Sequence, residues 1–498
     1  MDYLVLILYL YLLWGLFHAL SFVPDRGQRA RPSKLPPGPR PLPIIGNLLE
    51  LGDLPHKSLT KLAHTYGPII KLELGFVTTV VVSSPMLAKE ILQTHDTVFS
   101  NRMIPDSITA HDHDKLGLAW LHVSPLYRNL RKIFNLYIFT RKKLDLNQHL
   151  RGKKVQELVA FVRKCVYAGE AVNIGEAAFR ASLNAISNTV FSLDMTEPSN
   201  PAGELKEVVW QIMVEIGKPN LADYFPVLKK IDPHGSKRRL EANFQKMFDF
   251  FDEVIQRRLQ LRTENSSVRC NDVLDNLLDV VEDKNETLDI SRVKHLLLDI
   301  FVAGSETTSS TLEYAMTELL RNPEKLSRAQ AELHQVIGKG KKIEEDDISR
   351  LPYLQAILKE TFRLHPVVPL VPRTSGGNSV IGGFTIPKGA QVLINVFAIG
   401  RDPSIWDDPD KFVPERFLGS DIDVRGQNFV LVPFGGGRRI CPGLPLAMRM
   451  LPLMLGSLIN IFNWKLEDGV IPENMNMEDK FGLTIQKAQS LKAVPIPI

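Results

Sequence analysis

The sequence predicts a mainly α-helical protein with a minor antiparallel β portion. Three observations lead there. Long stretches with apolar residues at helical spacing dominate the chain, only a few short runs read as strands, and no internal repeat or second linker divides the body. With 498 residues, 44% of them apolar and 23% charged, the composition is that of a large globular body.

The first element is a membrane anchor at residues 1–24. Tyr3 to Val23 is almost purely apolar, and a helix of about 20 residues spans a bilayer core. A cleaved signal peptide is the competing reading, but it wants a basic start and a small-residue cleavage site. Here Met1-Asp2 is acidic and the run ends Leu20-Ser21-Phe22-Val23-Pro24. Arg26, Arg29, Arg31, Lys34 and Arg40 follow, and positive flanks stay cytoplasmic, so the expected topology is single-pass with the body in the cytosol. Residues 25–43 form a basic, proline-rich linker whose run from Pro32 to Pro43 cannot be helical and should be a stiff extended spacer.

Residues 44–498 are expected to fold as one domain. Strand-like runs lie at Ile69 to Leu74, Thr78 to Val82, Val380 to Ile386 and Gln391 to Asn395. Long helices are expected over Val208 to Ile216, Leu240 to Leu261, Ile290 to Leu320 and Leu351 to Leu364. The three cysteines, Cys165, Cys270 and Cys441, are odd in number and widely spaced, which argues against a disulfide framework and for a reducing compartment. In such a compartment the glycosylation patterns at Asn265-Ser266-Ser267 and Asn285-Glu286-Thr287 would go unused. The net charge of +4 is small, and its basic residues are scattered among 56 acidic ones, so no nucleic-acid-binding face is indicated.

Cys441 stands in Phe434-Gly435-Gly436-Gly437-Arg438-Arg439-Ile440-Cys441-Pro442-Gly443. Consecutive glycines let backbone approach a flat, bulky ligand, at an entropic cost that a plain loop has little reason to bear. An unperturbed thiol has a pKa of roughly 8.5, so a metal or positive surroundings must lower it before it can act as an anion. Arg438 and Arg439 bring positive charge and forked donors suited to carboxylates, and an apolar run from Leu444 to Leu455 offers a helix N-terminus to an anionic sulfur. These features fit a thiolate ligand of haem iron. A nucleophilic cysteine with a histidine base is the rival, for which the glycine-rich, arginine-flanked loop has no role.

The loop resembles the Phe-x-x-Gly-x-Arg-x-Cys-x-Gly signature of the cytochrome P450 superfamily at Phe434, Gly437, Arg439, Cys441 and Gly443. Glu360-Thr361-Phe362-Arg363 is similar to that superfamily's Glu-x-x-Arg element, and Pro414-Glu415-Arg416-Phe417 to the segment that supplies a second arginine. The resemblance thus implies a buried network of Glu360, Arg363 and Arg416, where an isolated Glu-Arg pair would be read as a solvated salt bridge. Ala303-Gly304-Ser305-Glu306-Thr307-Thr308 interrupts an otherwise apolar helix. The plain reading is a helix end capped by Ser305 or Thr307. The sharper one is an opening over the iron. By resemblance Thr307 then orients water at the oxygen side and Glu306 connects it to a proton supply.

Further cofactor contacts follow from the same resemblance. Arg131 and Tyr127, in Tyr127-Arg128-Asn129-Leu130-Arg131, stand where the family has Trp-x-x-x-Arg, with tyrosine replacing tryptophan; Arg439 and Arg373 are the other carboxylate partners, and Gly435 lies against the ring. Asp53 to Leu59, Gly217 to Leu221 and Pro442 to Ala447 look like the plant geraniol 8-hydroxylase group, whose members accept various terpenoids. Substrate-facing segments would be Ser107 to Leu116, Ile300 to Thr307, Val367 to Val371 and Phe481 to Thr484.

The resemblance implies a cytochrome P450 fold holding haem b, in the endoplasmic reticulum membrane. The expected reaction is hydroxylation of a small lipophilic terpenoid, such as a geraniol-like monoterpenol or a prenylated phenol like geranylhydroquinone. Electrons would come from NADPH through NADPH-cytochrome P450 reductase, since nothing in the chain resembles a dinucleotide-binding Gly-x-Gly-x-x-Gly turn. A larger terpene or another aromatic metabolite as substrate, an oxygen-independent rearrangement, and a membrane haem sensor or electron carrier are the alternatives.

Overall fold

The computed structural model describes residue 9 and residues 34–195, 202–264, 269–270, 272–283, 288–467 and 469–498. Apart from Tyr9, the expected anchor lies outside the described residues, as do both glycosylation patterns. From Lys34 onward the proline-rich run is no free spacer. Its carbonyls at Lys34 and Pro37 accept the N–H of Thr385 and Lys71, both at 2.8 Å. Gly38 sits where a β-carbon would come within 2.0 Å of the Lys71 carbonyl, so the run is docked on the body.

The long helices are α1 (Pro55–Tyr66), α2 (Pro125–Tyr137), α3 (Gln148–Ala168), α4 (Ile174–Phe191), α5 (Ala202–Gly217), the single turn α6 (Leu221–Tyr224), α7 (Ser236–Glu264), α8 (Ile290–Arg321), α9 (Pro352–Leu364) and α10 (Leu444–Ile461). All four expected helices are present, with ends shifted by a few residues. α8 organises them. Its N-terminus is capped by the Asp289 side chain, which accepts from Arg292 N–H, and it ends before Asn322-Pro323. Val293 to Val302 pack into one core with α4, α5 and α7, whereas Leu312 to Leu320 pack into another with α3, α9 and α10. The polar stretch from Ala303 to Thr311 falls between the two cores. Among the described residues one helix, α10, is long and apolar enough to cross a bilayer, and it is mostly buried in the second core.

The strands are β1 (Ile69–Leu74), β2 (Val77–Val82), β3 (Val172–Asn173), β4 (Leu370–Thr374), β5 (Ser379–Ile381), β6 (Phe384–Ile386), β7 (Gln391–Asn395), β8 (Phe462–Leu466), β9 (Asp479–Lys480), β10 (Gln486–Lys487) and β11 (Lys492–Pro497). The largest sheet has the order β1-β2-β7-β4. It corrects the expectation of a purely antiparallel portion, because β2 and β7 pair in parallel, Val80 opposite Val392. The two strands are joined through most of the helical body, so no hairpin dictates their direction, and Val80 to Val82, Val392 and Ile394 are buried as parallel strands require. The run from Val380 to Ile386 is two strands and not one. Gly382 and Gly383 take φ of 54° and 79° and fold it into the β5–β6 hairpin.

Candidate active site

The cysteine loop is clamped from several sides. Its own N–H to carbonyl bond, Cys441 to Phe434 at 3.0 Å, closes the turn. The Phe434 ring meets Phe362 of α9 edge-on, 5.3 Å between centroids. From α2, Arg131 Nη2 donates to the Ile440 carbonyl at 2.6 Å and the Tyr127 hydroxyl to the Arg438 carbonyl at 3.1 Å. Gly437 has φ +65°, and a β-carbon there would lie 2.0 Å from the Leu92 carbonyl. Its glycine is therefore required by a neighbouring turn of chain, whereas at Gly435, φ +67°, a β-carbon would make only ordinary contacts, 3.9 Å from Arg373 and Val371, and the backbone conformation is what favours glycine.

Burial pushes the Cys441 thiol up. The N–H groups of Gly443 and Leu444 at the start of α10, with the charges of Arg131 and Arg102, pull it back. The helix-terminus effect expected from the sequence is in place.

Arg438 and Arg439 point in different directions. Arg438 is exposed and pairs with Asp96 at 3.0 Å, which removes it from the cofactor side. Arg439 is buried, donates from Nε to the Ser100 carbonyl at 2.9 Å and from its other nitrogens to the carbonyls of Leu118, Ala119 and Leu121, and lies 4.2 Å over the Tyr127 ring. Arg102, Arg131 and Arg373 complete a group of four. Burial, then the charges of Arg102 and Arg439, push Arg373 down to about 9, and burial with Arg102 pushes Arg439 down to about 10. Among the described residues none of the four is paired with a carboxylate, and Arg102 Nε is buried without a partner. A cluster of like charges this dry calls for an anion. A flat group with two carboxylates and an iron to bind the sulfur fits the donor set, and that group is haem.

Sequence reasoning missed Arg102 and Asp299. Asp299 of α8 accepts the N–H of Leu118 at 2.6 Å and of Ala119 at 3.2 Å. Those same residues offer their carbonyls to Arg439, and Ala119 offers its own to Arg102 Nη1 at 2.8 Å. α8 is thereby tied to the cysteine loop. A carboxylate inside the apolar run Leu296 to Val302 was the signal that could have found Asp299. Arg102 had none.

α8 runs unbroken through Ala303 to Thr308, which excludes the helix-end reading. Thr307 Oγ1 donates to the Ala303 carbonyl at 2.8 Å and Thr308 Oγ1 to Gly304 at 3.0 Å. Gly304 answers to packing, for a β-carbon there would lie 2.6 Å from Ile186 Cδ1 of α4. Glu306 is buried, and its Oε1 accepts from the Ser310 hydroxyl at 2.8 Å. Burial pushes its carboxyl up to about 7, the Glu313 charge adding and hydrogen bonds from Ser310 and Gln486 opposing.

A buried acid with a raised pKa favours the protonated fold. Its destabilising effect is absent well below pH 4.5, sets in between 4.5 and about 7, and is complete above. Glu306→Gln should therefore raise stability at pH 8 by up to about 3 kcal/mol and leave it unchanged at pH 4. Thermal melts of the two proteins at both pH values check this.

Glu360 and Arg363 form a fully buried bidentate pair at 2.6 and 2.7 Å, and Arg416 Nε reaches the same carboxylate at 3.1 Å. The Val413 N–H adds a fourth bond at 2.7 Å, and Arg363 donates onward to the carbonyls of Gly400, Pro409 and Lys411. The network implied by the resemblance is assembled, and the solvated-pair reading is excluded by its burial.

A cleft of about 410 Å³ is walled by α1, β1, Ile216 to Leu221, Pro369, Leu370 and Phe481 to Leu483. Two expected substrate-facing segments contribute to it, Val367 to Val371 and Phe481 to Thr484. The other two do not line this cleft. Leu483 also packs on the α8 core that contains Ile300 and Val302, so the β9–β10 turn touches both the cleft and that core. Asp479 holds that turn, accepting from Tyr314 OH at 2.8 Å and pairing with Lys57 at 2.7 Å.

A family model described as Cytochrome P450 matches residues 36–491. A geraniol 8-hydroxylase of Catharanthus roseus is 52% identical over 497 residues, 99% of each chain. A geraniol 8-hydroxylase of Swertia mussotii is 54% identical over 485 residues, 97% of each chain. A drimenol monooxygenase of Persicaria hydropiper is 50% identical over 500 residues, 100% of this chain and 98% of the other.

Proposed function

The chain belongs to the cytochrome P450 family of haem-thiolate monooxygenases, and we propose that it hydroxylates a small terpenoid alcohol or a prenylated phenol. The observation that carries this reading is the full-length likeness to two geraniol 8-hydroxylases. A larger terpene is the second reading, favoured by the likeness to a drimenol monooxygenase.

Cys441 would hold the iron, and Arg102, Arg131, Arg373 and Arg439 the two carboxylates. When bound, the haem supplies the site where dioxygen is reduced and one oxygen atom enters a C–H bond, the other leaving as water. Glu306, with its carboxyl near pH 7, can give and recover a proton at physiological pH, and Ser310 is its first hydrogen-bond partner. Thr307 presents its hydroxyl on the same turn. Glu360, Arg363 and Arg416 act as structure behind the loop.

Electrons come from NADPH through a separate reductase. Arg128 and Lys132, exposed on α2 next to the loop, offer a positive face to an acidic partner. The body sits on the endoplasmic reticulum membrane, its catalytic domain in the cytosol and its anchor at residues 1–24. Exposed Ile44, Phe76, Val227 and Ile231 support a lipid-facing side. Their segments adjoin, through Gly75 N–H to the Ile45 carbonyl at 3.2 Å and Phe76 N–H to the Tyr224 carbonyl at 3.0 Å.

The test is a product assay with reductase, NADPH, oxygen and a panel of isoprenoid alcohols and prenylated phenols. Product without oxygen and NADPH would mean a rearrangement enzyme, and haem binding with no turnover a sensor or carrier. In Thr307→Ala, NADPH should still be consumed while product per NADPH falls about tenfold or more, hydrogen peroxide making up the difference. Unchanged coupling would remove Thr307 from the proton path.

A further inference from the structure

The segment from Gly217 to Asp223 walls one side of the cleft, and it carries polar groups that folding leaves unmatched. Asn220, 3% exposed, caps α6: its Oδ1 accepts the Ala222 N–H at 3.1 Å, which fixes the amide orientation. Its Nδ2 is left a buried donor with no acceptor. Three residues on, Asp223 lines the same cleft and accepts the Asp106 N–H at 2.6 Å. Asp106, 5% exposed, has a buried Oδ2 with no donor. Among the described residues neither carboxylate has an ion-pair partner. Nearby Lys218 is occupied by Glu215. Burial, with the Asp106 charge adding, pushes the Asp223 carboxyl up to about 6, and the Asp106 N–H opposes.

An unmatched donor and unmatched acceptors beside an apolar cleft select the ligand chemistry. An ammonium only donates and would leave Asn220 unsatisfied. An ether or ketone only accepts. A carboxylate is repelled by the two aspartates. A hydroxyl does both, accepting from an amide N–H and donating to a carboxylate.

We infer that Asn220 and Asp223 form a hydroxyl-binding subsite of the cleft, which takes the alcohol group of the substrate while its hydrocarbon chain lies along the apolar wall. This deepens the terpenoid reading and rests on it. It also gives the Gly217 to Leu221 stretch a role, because the cap on α6 sets the amide that recognises the alcohol. Such a site rejects analogues lacking the group, because its polar atoms then stay unpaired.

The experiment measures binding to the full-length holoenzyme by equilibrium dialysis, using geraniol, its methyl ether and the corresponding primary amine. Wild type should bind the alcohol most tightly. In Asp223→Ala the alcohol should weaken by roughly 10- to 100-fold and the ether by less than about twofold. Asp223→Asn, which keeps the shape, should fall between and decides the matter if the alanine variant does not fold. Equal losses for alcohol and ether, no loss for the alcohol, or an amine that binds more tightly than the alcohol would each overturn the subsite. If terpenoid alcohols are bound and hydroxylated yet the variants do not discriminate, the subsite alone falls. If wild type binds no terpenoid alcohol, the functional reading falls and takes the subsite with it.

Discussion

Cys441→Ser should give a folded protein with no monooxygenase turnover and without the strongly red-shifted carbon monoxide band of a thiolate-ligated reduced haem. Serine is nearly isosteric, and the bonds that shape the loop end on its main-chain atoms without using the sulfur: Cys441 N–H donates to the Phe434 carbonyl, and the Arg131 and Tyr127 side chains donate to the carbonyls of Ile440 and Arg438. Apoprotein stability should therefore change by no more than about 1 kcal/mol. What is lost is the anion. The N–H groups of Gly443 and Leu444 and the charges of Arg131 and Arg102 draw a thiol toward its thiolate, but an alcohol is far too weak an acid for the same surroundings to ionise. An absorption spectrum of the reduced, carbon monoxide-treated variant reads the outcome, and retention of the band would refute the ligand assignment.

The loop around that cysteine was legible because its glycines and arginines are adjacent in sequence. What lay beyond reach depends on distant segments. Arg438 and Arg439 are indistinguishable as neighbours, yet a single tight turn sends one to Asp96 at the surface and the other to four buried carbonyls. Arg102 gains its place only when the chains at Ser100 and at Leu118 to Leu121 close over Arg439, more than 300 positions away. The strands Ile69–Leu74 and Gln391–Asn395 were found at their observed limits, but nothing local announces that β7 lies parallel to β2. β11 escaped altogether. It holds Pro495 and Pro497, which argue against a strand, and it is tolerated because its partners lie on β8 and, over two residues, on β3.

Glu360→Ala and Arg363→Ala should be the most destabilising of single substitutions, each costing about 3 to 5 kcal/mol. Removing the carboxylate strands Arg363 in a fully buried site and takes the acceptor from Arg416 and from the Val413 N–H at 2.7 Å. Removing the guanidinium leaves the carbonyls of Gly400, Pro409 and Lys411 without their donor and the Glu360 charge with only Arg416. Both losses fall on the segment from Gly400 to Arg416, and α9 also presents Phe362 to the Phe434 ring of the cysteine loop. Haem retention should thus decline with stability even though none of these side chains belongs to the cofactor cluster. The double variant distinguishes a network from two separate anchors. If the pair is the unit, Glu360→Ala combined with Arg363→Ala costs well under the sum of the singles, because the second substitution removes a charge that the first had already left unpaired. Urea midpoints for the four proteins measure the coupling. Strict additivity would mean that the two residues stabilise the core independently, each through its backbone bonds, and that the ion pair between them adds nothing.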